Sequence, residues 1–129
     1  MKTRISLIVL TLLGFSFNSS ELNQNFNISG VYENDILYLT CNQGCNWEVL
    51  EFLPQKKQTY INAYGASGAQ FPEVHKAIAS NFQFSVLKND QGLQFKAVDG
   101  VNWLSVSAGC KNSCTFTLDN DGIRVSKKN

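Results

Sequence analysis

The sequence predicts an all-β domain made by tandem duplication. Three observations carry that reading: an internal repeat, period-two alternation of apolar residues, and four cysteines in two close pairs. Displacing the chain by 56 positions lays Asn25-Phe26 on Asn81-Phe82, Ser29 on Ser85, Leu37 on Leu93 and Gly44-x-Asn46-Trp47 on Gly100-x-Asn102-Trp103. Seven of the 23 positions from 25 to 47 are identical, where ordinary residue usage gives about one or two. After a one-residue slip, Ile61-Asn62-x-x-Gly65 matches Leu118-Asp119-x-x-Gly122. Self-similarity at a fixed period sets architecture before any local signal does.

The elements follow in order. In the second copy Phe82, Phe84 and Val86 alternate with Gln83, Ser85 and Leu87, and Leu93, Phe95 and Ala97 alternate with Gln94, Lys96 and Val98. Period two with one apolar side is a half-buried strand. Between them, Lys88-Asn89-Asp90-Gln91-Gly92 makes a hairpin turn and Asp99-Gly100 the next turn; strands at 103–108 and 114–118 complete the copy. The first copy predicts strands near 25–31, 36–41, 45–52 and 58–63. Trp47 and Leu50, like Trp103 and Val106, are three apart, so a β-bulge just after each Trp is expected to return both to the core.

Between the copies, Phe71, Val74 and Ile78 fall on one face at helical spacing, with Pro72 and Glu73 suited to a first turn. The prediction is therefore four strands, a short helix and four strands, with copies at about 25–66 and 81–123. Such a chain closes into an up-and-down barrel or folds as two four-stranded sheets face to face.

The first residues read as a signal peptide over 1–20: basic Lys2 and Arg4, an apolar run over 5–15 and small polar residues at 16–20. That run is short for a membrane span of about 20 residues, and no membrane anchor is expected. Residues 21–129 are then a single domain, with nine basic and ten acidic residues and a net charge of −1. No basic stripe marks a nucleic-acid partner. Ser126-Lys127-Lys128-Asn129 reads as a frayed, solvated end. Behind a signal peptide, Cys41, Cys45, Cys110 and Cys114 read as disulfides rather than zinc ligands. Each C-x3-C pair flanks a turn and pairs with itself, at opposite ends of the sheet.

Catalytic signals are thin, and no enzyme, cofactor or metal is expected. His75, the only histidine, sits on the expected helix with no nucleophile or orienting group named by sequence. Gly65-Ala66-Ser67-Gly68 lacks the spacing and the α/β setting of a nucleophile elbow. Asp119-Asn120-Asp121-Gly122 opens like a calcium loop but lacks the acidic residue at its far end.

The Asn-Trp pairs can be read as lectin-like sugar platforms. Recurrence in both copies favours Trp47 and Trp103 as core anchors, with Gly44 and Gly100 making the turns before them. The copies differ more tellingly on the outward face of the second strand, which carries Ile36 and Tyr38 in copy one but Gln94 and Lys96 in copy two. Val31 and Tyr32 extend this apolar surface, which binds a partner or is covered by the helix.

At Gly-x-Asn-Trp-x-x-Leu followed by Ile-Asn-x-x-Gly, residues 44–65 resemble small exported bacterial proteins of unassigned function. These carry a G-x-x-W…I-N-x-x-G signature near the end of a β-rich domain. Residues 100–122 match it loosely. The resemblance implies an all-β exported domain. The expected function is non-catalytic binding of a protein or glycan partner through Tyr32, Ile36 and Tyr38. The alternative is an inhibitor or immunity-type protein acting through a disulfide-stiffened tip at Lys111 and Asn112.

Overall fold

The computed structural model describes residues 25–71 and 82–128. The expected signal peptide, and the expected helix beyond Phe71 with His75, lie outside the described residues.

Ten strands run in order: β1 (Asn27–Glu33), β2 (Ile36–Gln43), β3 (Val49–Phe52), β4 (Thr59–Asn62), β5 (Gly65–Ser67), β6 (Gln83–Asn89), β7 (Gly92–Asp99), β8 (Ser105–Ser107), β9 (Cys114–Asp119) and β10 (Gly122–Lys128). Alternation accounts for their burial. Ile28, Leu37, Leu39, Phe84, Val86, Leu93, Phe95, Phe116 and Leu118 all point inward and are almost wholly buried. The residues between them on β2 and β9, such as Tyr38, Thr115 and Thr117, point away and keep partial exposure.

The strands form two antiparallel sheets of order β10-β9-β1-β2-β3 (sheet A) and β5-β4-β6-β7-β8 (sheet B). They pack face to face through one shared core. Across it, the Phe95 and Phe116 rings meet edge-on at 5.4 Å and Phe26 stacks on Phe84 at 5.9 Å. The architecture is a sandwich.

Of the two architectures left open by the sequence, the sandwich is the one observed, since β3, β5, β8 and β10 end their sheets as edges. The structure corrects the strand count from four to five per sheet. Tight turns before Gly65 and Gly122 send the chain straight back to pair β5 on β4 and β10 on β9. Of the tail expected to fray, Ser126 to Lys128 belong to β10, and Asn129 lies outside the described residues. Neither half keeps its strands in one sheet: β4 leaves β1–β3 to pair with β6, and β9 leaves β6–β8 to pair with β1.

The two hairpins that open the halves share one register. Tyr32 pairs with Leu37 and Gly30 with Leu39, as Lys88 pairs with Leu93 and Val86 with Phe95. Both carry an irregularity at their first residue, between Asn27 and Ile28 and between Gln83 and Phe84. Those are the bulges of these hairpins; none lies after Trp47 or Trp103. There the chain is irregular until β3 or β8 begins, and it still delivers Leu50 and Val106 to the core.

The Trp anchors are built alike. Trp47 Nε1 donates to the Asn62 carbonyl at 2.9 Å, and Trp103 Nε1 donates to the Asp119 carbonyl at 2.9 Å. Asn62 Oδ1 accepts from the N–H groups of Tyr64 and Gly65, and Asp119 Oδ1 accepts from those of Asp121 and Gly122. Each Trp thus pins a turn that its own half closes with a side-chain oxygen. Gly44 (φ 92°) and Gly100 (φ 75°) supply the left-handed backbone before each anchor. Trp103 is buried, whereas Trp47 is partly buried against the same core.

Disulfides join Cys41 to Cys45 and Cys110 to Cys114, as expected from their spacing. Cys41 lies opposite Ile28 and Cys114 opposite Tyr32, so the two bonds sit at opposite ends of β1.

Candidate binding surface

The outward face of sheet A assembles the apolar residues singled out in the first half. Val31 lies beside Tyr38, which lies beside Glu51; Glu33 faces Ile36 and Thr40 faces Val49. Val31, Val49 and Leu53 are 36%, 54% and 59% exposed. Ile36 and Tyr38 are half-buried.

The shared register corrects the pairing of copies at this face. Tyr38 corresponds to Gln94 and Ile36 to Gly92, while Lys96 corresponds to Thr40. At the same offset, Val31, Val49 and Leu53 correspond to Leu87, Ser105 and Gly109. Four of the five positions lose their large apolar side chain in the second half.

Tyr32 does not belong to this face. It is 1% exposed, because its neighbour Val31 takes the outward position and parity sends Tyr32 to the core side. The Lys88 ammonium lies 5.5 Å from its ring centroid and 3.9 Å from Asp35 Oδ1. The neighbouring Tyr32 hydroxyl raises the Lys88 pKa above its ordinary value; burial opposes this and Asp35 adds to it. Val49 and Leu53, which sequence reasoning missed, carried a signal: they alternate with Leu50 and Phe52.

A polar strip borders the apolar patch. Asn42 Nδ2 donates to Asn27 Oδ1 and Ser29 Oγ, both at 2.8 Å. Beyond it, a cleft of about 160 Å³ is lined by Asn25, Phe26, Asn27, Gln43, Asp119, Asn120 and Asp121. Burial alone would raise the Asp119 pKa. Hydrogen bonds from the Asp121 and Gly122 amides and from the Arg124 guanidinium, 3.1 Å from Oδ2, outweigh it and hold the carboxyl below its ordinary range. Asp121 Oδ1 accepts from Asn102 Nδ2 at 2.9 Å, so both carboxylates serve the turn. Among the described residues, no group of three or more His, Cys, Asp or Glu is arranged to hold a metal ion.

The outward face of sheet B is covered at Gln83 and Ser85 and open at Lys96, Ser105 and Ser107. Gln83 and Ser85 point away from the core yet are 0% and 1% exposed, and Gln83 Oε1 accepts from the Phe71 amide at 3.0 Å. Their counterparts Asn27 and Ser29 in sheet A are only half-buried.

Lys111 and Asn112 are exposed on the loop closed by buried Cys110 and Cys114. Because Thr115 pairs with Val31 and Cys114 with Tyr32, this loop leaves sheet A at the end that carries Glu33 and Ile36. The structure thus brings the tip and the apolar patch to the same end of one sheet. No protein-family model, curated protein or solved structure matches the chain.

Proposed function

We propose that this chain is an exported, non-catalytic binding domain, built from two copies of one β unit, that engages a protein partner through the outward face of sheet A. The observation that carries the reading is the concentration of Val31, Ile36, Tyr38, Val49 and Leu53 on one open face, at positions the second half fills with Leu87, Gly92, Gln94, Ser105 and Gly109. Gly92 and Gly109 are set by their own positive φ, but at Tyr38/Gln94 and Val49/Ser105 neither half has a special backbone, and the shared register does not itself require apolar residues there. The duplication is supported by the matched Trp and turn hydrogen bonds of the two halves. Two disulfides support an oxidising compartment, and among the described residues no helix is long and apolar enough to cross a membrane.

The test imports residues of the second half, Tyr38→Gln with Val49→Ser. The variant is expected to fold like wild type and to lose capture of a partner from the exported fraction of the source cells. Undiminished capture by a folded variant defeats the reading.

A second reading is favoured by the exposed Lys111 and Asn112 on their disulfide-closed loop: an inhibitor that inserts this tip into an enzyme. Under that reading Lys111→Ala with Asn112→Ala abolishes capture while the Tyr38/Val49 variant retains it.

A further inference from the structure

The strand order contains more than a sandwich. Sheet A is three strands of the first half completed by the last two of the second, and sheet B is three strands of the second half completed by the last two of the first. Each half therefore donates a hairpin to the other. The halves also meet through matching positions. Phe26 stacks on Phe82, its counterpart 56 residues on, at 4.2 Å. At the other end of β1 and β6, Lys88 lies over Tyr32, again the same position in the two halves. Equivalent residues meeting one another mark an isologous, two-fold relation, the geometry of a symmetric dimer.

Neither disulfide links the halves. Cys41–Cys45 closes within the first and Cys110–Cys114 within the second. Residues 72–81 are the covalent connection between them, and β1–β9 and β4–β6 pairing is blind to which molecule supplies each strand.

We infer that the two halves recognise each other as separate partners, so that this chain pairs with a second copy of itself by exchanging halves. The first half of one molecule joins the second half of another with the same hydrogen bonds and core as in the monomer. Connection within one chain keeps the local concentration of the partner half high, so exchange competes when chains fold at high concentration.

Two full-length variants test this. Leu39→Asp disables the first half and Leu118→Asp the second, since each Leu is 0% exposed and a buried unpaired carboxylate is incompatible with the core. Each variant refolded alone carries one disabled half in every sandwich, and no native near-ultraviolet circular dichroism is expected. Refolded together, they form a heterodimer of twice the monomer mass in which one sandwich has two intact halves, and half the wild-type signal per chain returns. No returned signal in the mixture overturns the inference.

A second measurement leaves the core untouched. A protease site is inserted between residues 76 and 77, cleavage is carried to completion as followed by denaturing electrophoresis, and the product is refolded and sized. The cut halves are expected to co-elute at the monomer's mass, and halves that part at micromolar concentration overturn the inference.

Discussion

The two halves share a strand register but differ in side-chain volume, most plainly where Gly30 of β1 lies opposite Phe116 of β9 and Val86 of β6 lies opposite Thr59 of β4. These are equivalent pairs. A Cβ on Gly30 would fall among the ring carbons of Phe116, so the first pair joins the smallest residue to a large ring and the second joins two of middling size. The Phe116 ring spends its size across the sandwich, against Phe95. What the halves share are the anchors: a Trp N–H on a carbonyl, and a side-chain oxygen closing the turn that follows. Volume can be redistributed between neighbouring strands so long as the interior stays filled. Outward positions are not all free of constraint: a Cβ on Gly92 would meet the Cys110 backbone, whereas the exposed Val49 and its counterpart Ser105 fill no interior volume.

The Trp anchors offer the hardest test of this likeness. Trp103→Ala removes a buried indole and its bond to Asp119 and should cost about 3–5 kcal/mol. Trp47→Ala, in the less buried position, should cost less, as measured by denaturant unfolding of both variants. Equal losses would mean that hydrogen bonding to the turn, not burial, sets the anchor's worth.

Gly30→Val imports the second half's residue into the first and should destabilise by about 3 kcal/mol through overpacking against Phe116. Adding Phe116→Thr imports the partner residue as well, and the double variant should recover part of that loss in an unfolding titration. Losses that simply add would show that the two pairs are not interchangeable solutions.

Acid separates the turns. Asp119 has a lowered pKa in the folded state, so its stabilising contribution is complete above the ordinary carboxylate value of 3.8 and is lost as pH falls through the lower folded value. Asp119→Asn copies the first half's Asn62 and retains the turn-closing oxygen. Melting temperature should then fall less steeply than wild type between about pH 5 and pH 2.

The smallest effect on stability belongs to the outward face. Tyr38→Gln with Val49→Ser should change it by no more than about 0.5 kcal/mol per site. A larger loss by calorimetry would mean that the patch is part of the packed structure.

Much of this was legible in the sequence. Alternation located the strands that carry the core, the spacing of the cysteines set their local pairing, and Trp47 and Trp103 emerged as anchors from their repetition. The departure of β4 and β9 to the opposite sheet was not legible, because alternation is the same whichever sheet a strand joins. Pairing of β4 with β6 or of β9 with β1 is a non-local choice made by the filled core. Tyr32 was misplaced for a simpler reason: adjacent residues of a strand cannot share a face, so Val31 and Tyr32 could never both have been outward. Val49 and Leu53 were legible: with Leu50 expected in the core, alternation through Phe52 sets both on the opposite face.

Among the described residues the strand order leaves one long edge, β10. β5 and β8 are three residues each and β3 is four, preceded by Glu48 and followed after Leu53 by Pro54. β10 has seven residues and, were it straight, could template another chain along its whole length. Its sequence carries Arg124, Lys127 and Lys128, and its register slips between Val125 and Lys127. Arg124 is already paired with Asp119, so the feature that marks this edge is the register slip, a local irregularity of the kind that makes an edge a poor template. A strand that bends partway along its length offers a straight incoming strand only part of its hydrogen-bonding edge, and the slip between Val125 and Lys127 therefore limits how far sheet A can be extended.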